Sequence, residues 1–246
     1  MNLLENTPRL RMFAGPNGSG KSTIKSILKP NLLGFYINPD EIEAEITKFD
    51  FLDFGHYGIQ TDRKEVLDFF QNSKLLEKAD LSDDTQLLRF NENSLTFADV
   101  SVNSYYASVA SDFIRRKLVL SHQSFTFETV MSSPDKINFL AKAQQFGYRT
   151  YLYYVAIDSP LINISRVKYR VKTGGHDVPT DKIESRYYRS LDLLFEAVKF
   201  TNRAYIFDNS GDEFQWIAEV TEGKEIEIKT EYYPMWLKTY LLDKTG

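Results

Sequence analysis

The chain has 246 residues, 42% of them apolar, 14% aromatic and 26% charged, and it contains no cysteine. Zero Cys removes disulfide frameworks, thiolate zinc sites, iron–sulfur clusters and cysteine nucleophiles together. Thirty Lys and Arg against thirty-four Asp and Glu leave a net charge of −4, so no bulk electrostatic grip on nucleic acid phosphates exists and a nucleic acid partner is not expected. The length suits one good-sized domain, 1–246, or one domain carrying an insertion. No apolar stretch approaches the roughly 18–20 residues that cross a bilayer, and Met1 to Leu10 lacks the basic and apolar regions of an export signal. A soluble, cytoplasmic protein without membrane contact is the expectation.

In chain order, short apolar runs rich in β-branched and aromatic residues predict strands at Leu10 to Ala14, Gly34 to Ile37, Ser124 to Val130, Thr150 to Ile157 and Ala204 to Phe207. Between them lie helical patterns: Lys21 to Leu28, Asp40 to Lys48, Tyr105 to Leu120, Ser133 to Phe146, Leu161 to Lys172 and Asp181 to Lys199. Strand–helix alternation predicts an α/β fold with a mostly parallel sheet and right-handed crossovers, which binds ligands at the carboxyl ends of its strands. The segment from about 50 to 103 breaks the rhythm. From Asp50 to Asp99 it holds eleven acids and five bases, a net of −6 against −4 for the chain, which leaves +2 elsewhere. Phe214 to Val220 and Glu225 to Lys229 around Thr221-Glu222-Gly223-Lys224 predict a C-terminal hairpin.

The strongest local signal is Gly15-Pro16-Asn17-Gly18-Ser19-Gly20-Lys21-Ser22, followed by Thr23, which fits G-x-x-x-x-G-K-[ST] between a strand and a helix. Glycines let such a loop wrap with its N–H groups inward and hold phosphate oxygens, Lys21 reaches the same oxygens, and the Ser22 hydroxyl ligates Mg²⁺. ATP and Mg²⁺ are therefore expected, in a three-layer P-loop NTPase sandwich. Three strand ends offer a carboxylate for the metal side: Glu128, Asp158 and Asp208. Asp158 is preceded by the most hydrophobic run. A kinase-type sheet, in which the third strand adjoins the first, favours Glu128.

On the acceptor side, Asn38 can cap a helix that has Pro39 at its first position and Glu41 at its third, so the cap does not need Asp40. Asp40 is then a carboxylate that could take a proton from an acceptor hydroxyl. On spacing alone, stabilising the helix dipole is the better reading of it. Arg166 and Arg170 stand four apart on one helix, and Arg186 and Arg189 on the next, joined by a turn containing Gly174-Gly175-His176. Two cationic helices of this kind suit a lid over a triphosphate, with Arg186 flanking the buried stripe Ile183, Tyr187, Leu191, Leu194, Val198 and Arg189 pointing nearly away. His176 is a further lid candidate. His56 and His122 have no metal-ligand spacing.

Taken in order, GPNGSGKST, YINPDEI, SFTFETVMSS, RVKYRVKTGGHDVPTDKIESRYYRSL and IFDNSG resemble the zeta toxin family of P-loop kinases. The resemblance covers about Arg9 to Ile46 and Tyr105 to Gly211. It implies an ATP- and Mg²⁺-dependent small-molecule kinase acting on an alcohol group, with UDP-N-acetylglucosamine or another nucleotide-linked compound as acceptor. It implies that Asp40 is the catalytic base, that Asn38, Glu128 and Thr129 lie at the substrate and metal side, and that Arg166 or Arg170 serves the moving phosphoryl. Pro39 and the Gly-Gly-His-Asp lid look like the broader, toxin-related ATPase branch, and the insertion falls where acceptor specificity would be set. A toxin of this kind would need an antitoxin over its ATP or acceptor site. Two alternatives stay open: a nucleotide-gated regulatory protein with no small-molecule acceptor, and a nucleic acid 5′-hydroxyl kinase, against which the acidic insertion argues.

Overall fold

The computed structural model describes residues 7–173 and 177–245. In chain order its main elements are β1 (Arg9–Ala14), α1 (Lys21–Ile27), α2 (Pro30–Leu33), β2 (Phe35–Ile37), α3 (Pro39–Phe49), β3 (Phe51–Asp53), α4 (Arg63–Gln71), α5 (Lys74–Lys78), β4 (Arg89–Asn91), β5 (Ser94–Thr96), α6 (Ser104–Leu120), β6 (Phe125–Thr129), α7 (Asp135–Gln145), β7 (Arg149–Ala156), α8 (Pro160–Lys172), α9 (Thr180–Asp192), α10 (Leu194–Lys199), β8 (Arg203–Asp208), β9 (Gln215–Thr221), β10 (Glu225–Ile228) and α11 (Met235–Tyr240). They form two compact units, Met1–Gly34 with Ser124–Gly246, and Phe35–Gln123.

In the first unit the strands are ordered β10-β9-β8-β7-β1-β6. β6, β1, β7 and β8 run parallel, and β9 and β10 close the edge as an antiparallel hairpin. Parallel strands buried on both faces read as unbroken apolar runs, and Leu10, Met12, Phe13, Ala14 and the stretch Leu152 to Ile157 are all buried. The expected mostly parallel, kinase-type sheet is what the chain adopts: the loop-bearing strand β1 sits between β6 and β7. Three residues separate the paired Thr221 and Glu225; Glu222 (φ 49°) and Gly223 (φ 67°) take left-handed dihedrals there, and Lys224 N–H closes the turn on Thr221 O at 3.1 Å.

The stripe Ile183, Tyr187, Leu191, Leu194, Val198 is buried as its spacing predicts. The helix expected from Asp181 to Lys199 is two helices, α9 and α10, meeting at Leu193. Leu193 keeps right-handed helical dihedrals (φ −86°, ψ −8°), and its carbonyl still accepts from Ala197 N–H at 2.9 Å, so the chain bends there without releasing the buried face.

The second unit is built on α6, whose Tyr106, Ala107, Ala110, Phe113, Ile114 and Leu118 recur at helical spacing and are buried. α3 and α5 pack on α6, and β3-β5-β4 form a small antiparallel sheet. Phe54 and Phe69 both meet Phe113 edge-on at 5.2 Å, and Phe97 meets Phe70 and Tyr106 edge-on at 6.1 Å. Phe54, Phe70 and Phe97, from the segment from 50 to 103, are thus core residues of a folded body, while Phe51 is exposed. No helix among the described residues is long and apolar enough to cross a membrane.

Nothing in the sequence pattern marks α11, yet its Trp236 and Leu237 are buried. The Trp236 indole N–H donates to Asp208 Oδ1 at 2.9 Å, and the Ser210 hydroxyl donates to the same oxygen at 2.8 Å while its N–H reaches Oδ2 at 3.1 Å. Asp208 therefore ties the end of β8 to α11. Trp236→Phe shrinks the buried indole to a phenyl ring and removes one charge-assisted bond, so urea unfolding should show a loss of at least about 1–3 kcal/mol; an unchanged midpoint and slope would remove this bond from the account.

Candidate active site

β1 delivers the chain directly into the loop Gly15 to Gly20, and α1 continues from it. The glycines are placed by geometry. Gly15 has φ +143°, and a Cβ there would lie 2.0 Å from the Val155 carbonyl oxygen of neighbouring β7. Gly18 has φ +75°, and a Cβ there would lie 2.8 Å from the Asn163 carbonyl oxygen of α8. Ser19 N–H bonds back to Pro16 O at 3.2 Å, which closes the turn, and Gly20, also left-handed, caps α1 without a side-chain acceptor. Lys21 Nζ rests at the mouth, donating to Gly15 O at 2.9 Å and Pro16 O at 3.0 Å. Ser22 and Thr23 are exposed on the first turn of α1.

Two side chains from distant elements hold this loop. Asn163 Nδ2 on α8 donates to Asn17 O at 2.5 Å, and Asn209 Nδ2, just past β8, donates to Ser19 O at 2.8 Å. Neither is among the expected site residues. The signal was present for Asn163: a polar residue on the same turn as Ile164 and Val167, the buried face of an amphipathic helix.

The three competing carboxylates separate. Glu128 pairs with Phe13 and Thr129 with Ala14 in β6, so both stand beside the strand that enters the loop. The Thr129 hydroxyl accepts from Met131 N–H at 3.0 Å. β7 adjoins β1 on the other side, so Asp158, just beyond it, also follows a neighbour of β1; adjacency alone does not choose between Glu128 and Asp158. Asp208 is one strand further out, with its oxygens engaged by Ser210 and Trp236. Partial desolvation, and then the negative charge of Asp208, push the Asp158 carboxyl above the ordinary carboxylate range.

α8 and α9 share a small core of Ile164, Val167, Val178 and Ile183 with Val171 against it, so the two arginine-bearing helices form one packed pair. Arg166 and Arg186 are half-buried and Arg170 is exposed. Arg189 is exposed, its Nε donating to Ser185 O at 3.2 Å, in keeping with an outward side chain. His176 lies outside the described residues.

Asn38 and Asp40 belong to the second unit. The Asn38 side chain accepts from Asp40 N–H at 2.9 Å, Pro39 is the first residue of α3, and Ile42 and Ile46 are its buried anchors. The Asp40 carboxylate is exposed on that first turn.

A loop whose glycines admit no Cβ, with a lysine ammonium at its mouth, fits a polyphosphate. No group of three or more His, Asp or Glu that could cage a metal occurs among the described residues. An exposed Ser22 hydroxyl, with phosphate oxygens once a nucleotide is bound, would be the sparse set that suits Mg²⁺, which keeps most of its waters.

No protein-family model matches the chain. A protein of Haemophilus influenzae (strain Rd), described as uncharacterized, is 33% identical over 175 residues, covering 71% of this chain and 89% of that protein. The chain belongs to its family. Among solved structures, AvrRxo1-ORF1:-ORF2 with ATP aligns at a TM-score of 0.54 and 16% identity, over 91% of this chain and 61% of that one. A structure of the PezAT chromosomal toxin–antitoxin system of Streptococcus pneumoniae aligns at 0.50 and 15% identity, over 96% of this chain and 79% of that one. The chain shares the fold of these two structures. The chain spans about three-fifths of the AvrRxo1 chain it matches.

The raised Asp158 carboxyl gives a signed prediction. A carboxyl with a folded-state pKa above its ordinary 3.8 stabilises the fold when protonated, and that contribution is lost as pH rises through the folded value. Asp158→Asn should therefore resist urea better than wild type at about pH 7, with the difference vanishing near pH 3. A gain that persists unchanged at pH 3 would point to packing and away from charge.

Proposed function

We propose that this chain is an ATP-dependent kinase that transfers the terminal phosphoryl group to a hydroxyl of a small metabolite. The observation that carries the reading is the loop Gly15 to Gly20, whose backbone geometry excludes a Cβ at Gly15 and whose Lys21 ammonium sits over its rim. In this reading the loop amides and Lys21 hold the β- and γ-phosphates. Ser22 is the protein ligand to Mg²⁺, which when bound neutralises charge on the phosphates. Arg166, Arg170 and Arg186, on the packed pair α8 and α9, neutralise charge that spreads over the transferred phosphoryl oxygens. Asp40, exposed and already relieved of capping duty by Asn38, takes the proton from the attacking hydroxyl.

Glu128 and Thr129, at the end of the strand beside β1, are the residues we assign to the metal and substrate side. A nucleotide-linked sugar or a dinucleotide is the acceptor class, and an antitoxin-like protein partner belongs to the same reading. Support for the partner comes from the neighbours, one named as a toxin–antitoxin system and one solved as an ORF1:ORF2 complex.

ATP consumption with Mg²⁺, measured with and without a panel of UDP-sugars and dinucleotides, tests this directly. Wild type should show acceptor-dependent turnover. Asp40→Ala should still bind ATP but lose transfer by about 10²-fold or more, the usual effect of removing a general base. Turnover that ignores every acceptor and survives Asp40→Ala would favour the nucleotide-gated regulator instead.

A further inference from the structure

Asn163 is fully buried, and nothing in the proposed chemistry uses it. It lies in the second turn of a helix that begins at Pro160, on the face that carries Val167 one turn later. Both residues meet the apex of the phosphate loop: a Cβ on Gly18 would lie 2.8 Å from Asn163 O and 3.2 Å from Val167 Cγ2. α8 thus touches the loop with its backbone, and Asn163 adds a directional contact, its amide on Asn17 O at 2.5 Å across 146 residues of sequence. Arg166 and Arg170 are three and seven residues further along, and side chains at those spacings share a helix face.

The chemistry of the contact is specific. A loop that turns its N–H groups toward a phosphate must turn carbonyls away from it, and those carbonyls need donors when water is excluded. Asn163 supplies one to Asn17 O, and Asn209 supplies one to Ser19 O on the other flank. The Asn163 Oδ1, also buried, has no hydrogen-bond partner among the described residues. Packing alone does not account for such a residue, because leucine would fill the position without a stranded oxygen.

We infer that Asn163 is a positioning residue that sets the curvature of the phosphate loop before nucleotide arrives and fixes the lid helix, with Arg166 and Arg170, at a set height above it. The inference rests on the nucleotide-binding reading of the loop and adds a coupling between loop and lid. Asn163 touches no reacting atom; it acts through Asn17 O.

Equilibrium titration with a fluorescent N-methylanthraniloyl-ATP and Mg²⁺, alongside thermal melting, tests it. Asn163→Leu keeps bulk and burial, removes the donor and strands Asn17 O, so the melting midpoint should fall while the dissociation constant rises about tenfold or more. Asn163→Asp matches the original shape with an acceptor in place of the donor. Its affinity should be poor at about pH 8 and recover relative to wild type as pH falls and the carboxyl regains a proton that can reach Asn17 O. A purely structural role predicts no such pH profile, and this second variant decides the matter if Asn163→Leu fails to fold. Wild type that binds the analogue, with both variants binding it equally well at every pH, overturns the inference and leaves the kinase reading standing. Wild type that binds no analogue overturns both.

Discussion

Backbone amides can converge on one point only if the carbonyls between them are driven outward, and this constraint shapes the unit that carries the loop from Gly15 to Gly20. Gly15 is pressed against the Val155 carbonyl so closely that no side chain could exist there, and Gly18 is pressed against Asn163 in the same way. β7 and α8 are therefore the outer wall of the loop as well as parts of the sheet and helical layer. The outward carbonyls of Asn17 and Ser19 each find a side-chain amide. Removing water from such a loop without those donors would leave two unpaired acceptors, a cost comparable to the stability of a marginal domain's weaker elements. Preorganisation of this kind is what electrostatic catalysis at a phosphate requires, since dipoles already aligned need no reorganisation when charge moves.

The same region shows how a strand end that looks catalytic can be structural. Asp208 follows a β-strand of the central sheet, as a metal-binding acid would, but its oxygens serve Ser210 and Trp236. The Ser210 hydroxyl also accepts from Asp158 N–H at 2.9 Å, so the ends of β7 and β8 are laced through one short loop. Asn209, between Asp208 and Ser210, is thereby held where its amide meets Ser19 O. The support for the phosphate loop reaches in this way to α11, near the chain's end.

What the sequence made legible and what it hid follow from one physical distinction. The phosphate loop could be read because its requirements fall on eight consecutive residues, and the buried stripe on α9 and α10 because a 3.6-residue period survives a bend at Leu193. The cap of α3 was equally local, since Asn38, Pro39 and Asp40 are neighbours. The two asparagine clamps were hidden because each joins positions 146 or 190 residues apart, and no pattern within a window reports such a pairing. The segment from about 50 to 103 was read only as a break in rhythm: its three strands are three residues each, too short to display alternation. Its tight turn at Glu92 and Asn93 (φ 46° and 66°) lacks the glycine that usually marks such a turn, and Asn93 stands in by bonding Ile59 O and Thr61 N–H with its side chain.

The proposed machinery is divided between the compact units in a way that bears on how such a protein diversifies. Lys21, Ser22, Glu128 and the arginines of α8 and α9 belong to one unit, while Asn38 and Asp40 belong to the other, together with the acidic segment from 50 to 103. The first unit is under tight geometric demand, because a methyl group at Gly15 would collide with backbone. The second meets a looser demand: Asp40 needs only a capped helix start, which Asn38 supplies, and a folded body to carry it, which α6 and its aromatic neighbours supply. Aromatic cores of this kind tolerate changes at exposed positions as long as volume inside is kept. A first unit under tight local constraint and a second under looser constraint are both compatible with a fold shared with the solved neighbours at 15% and 16% identity.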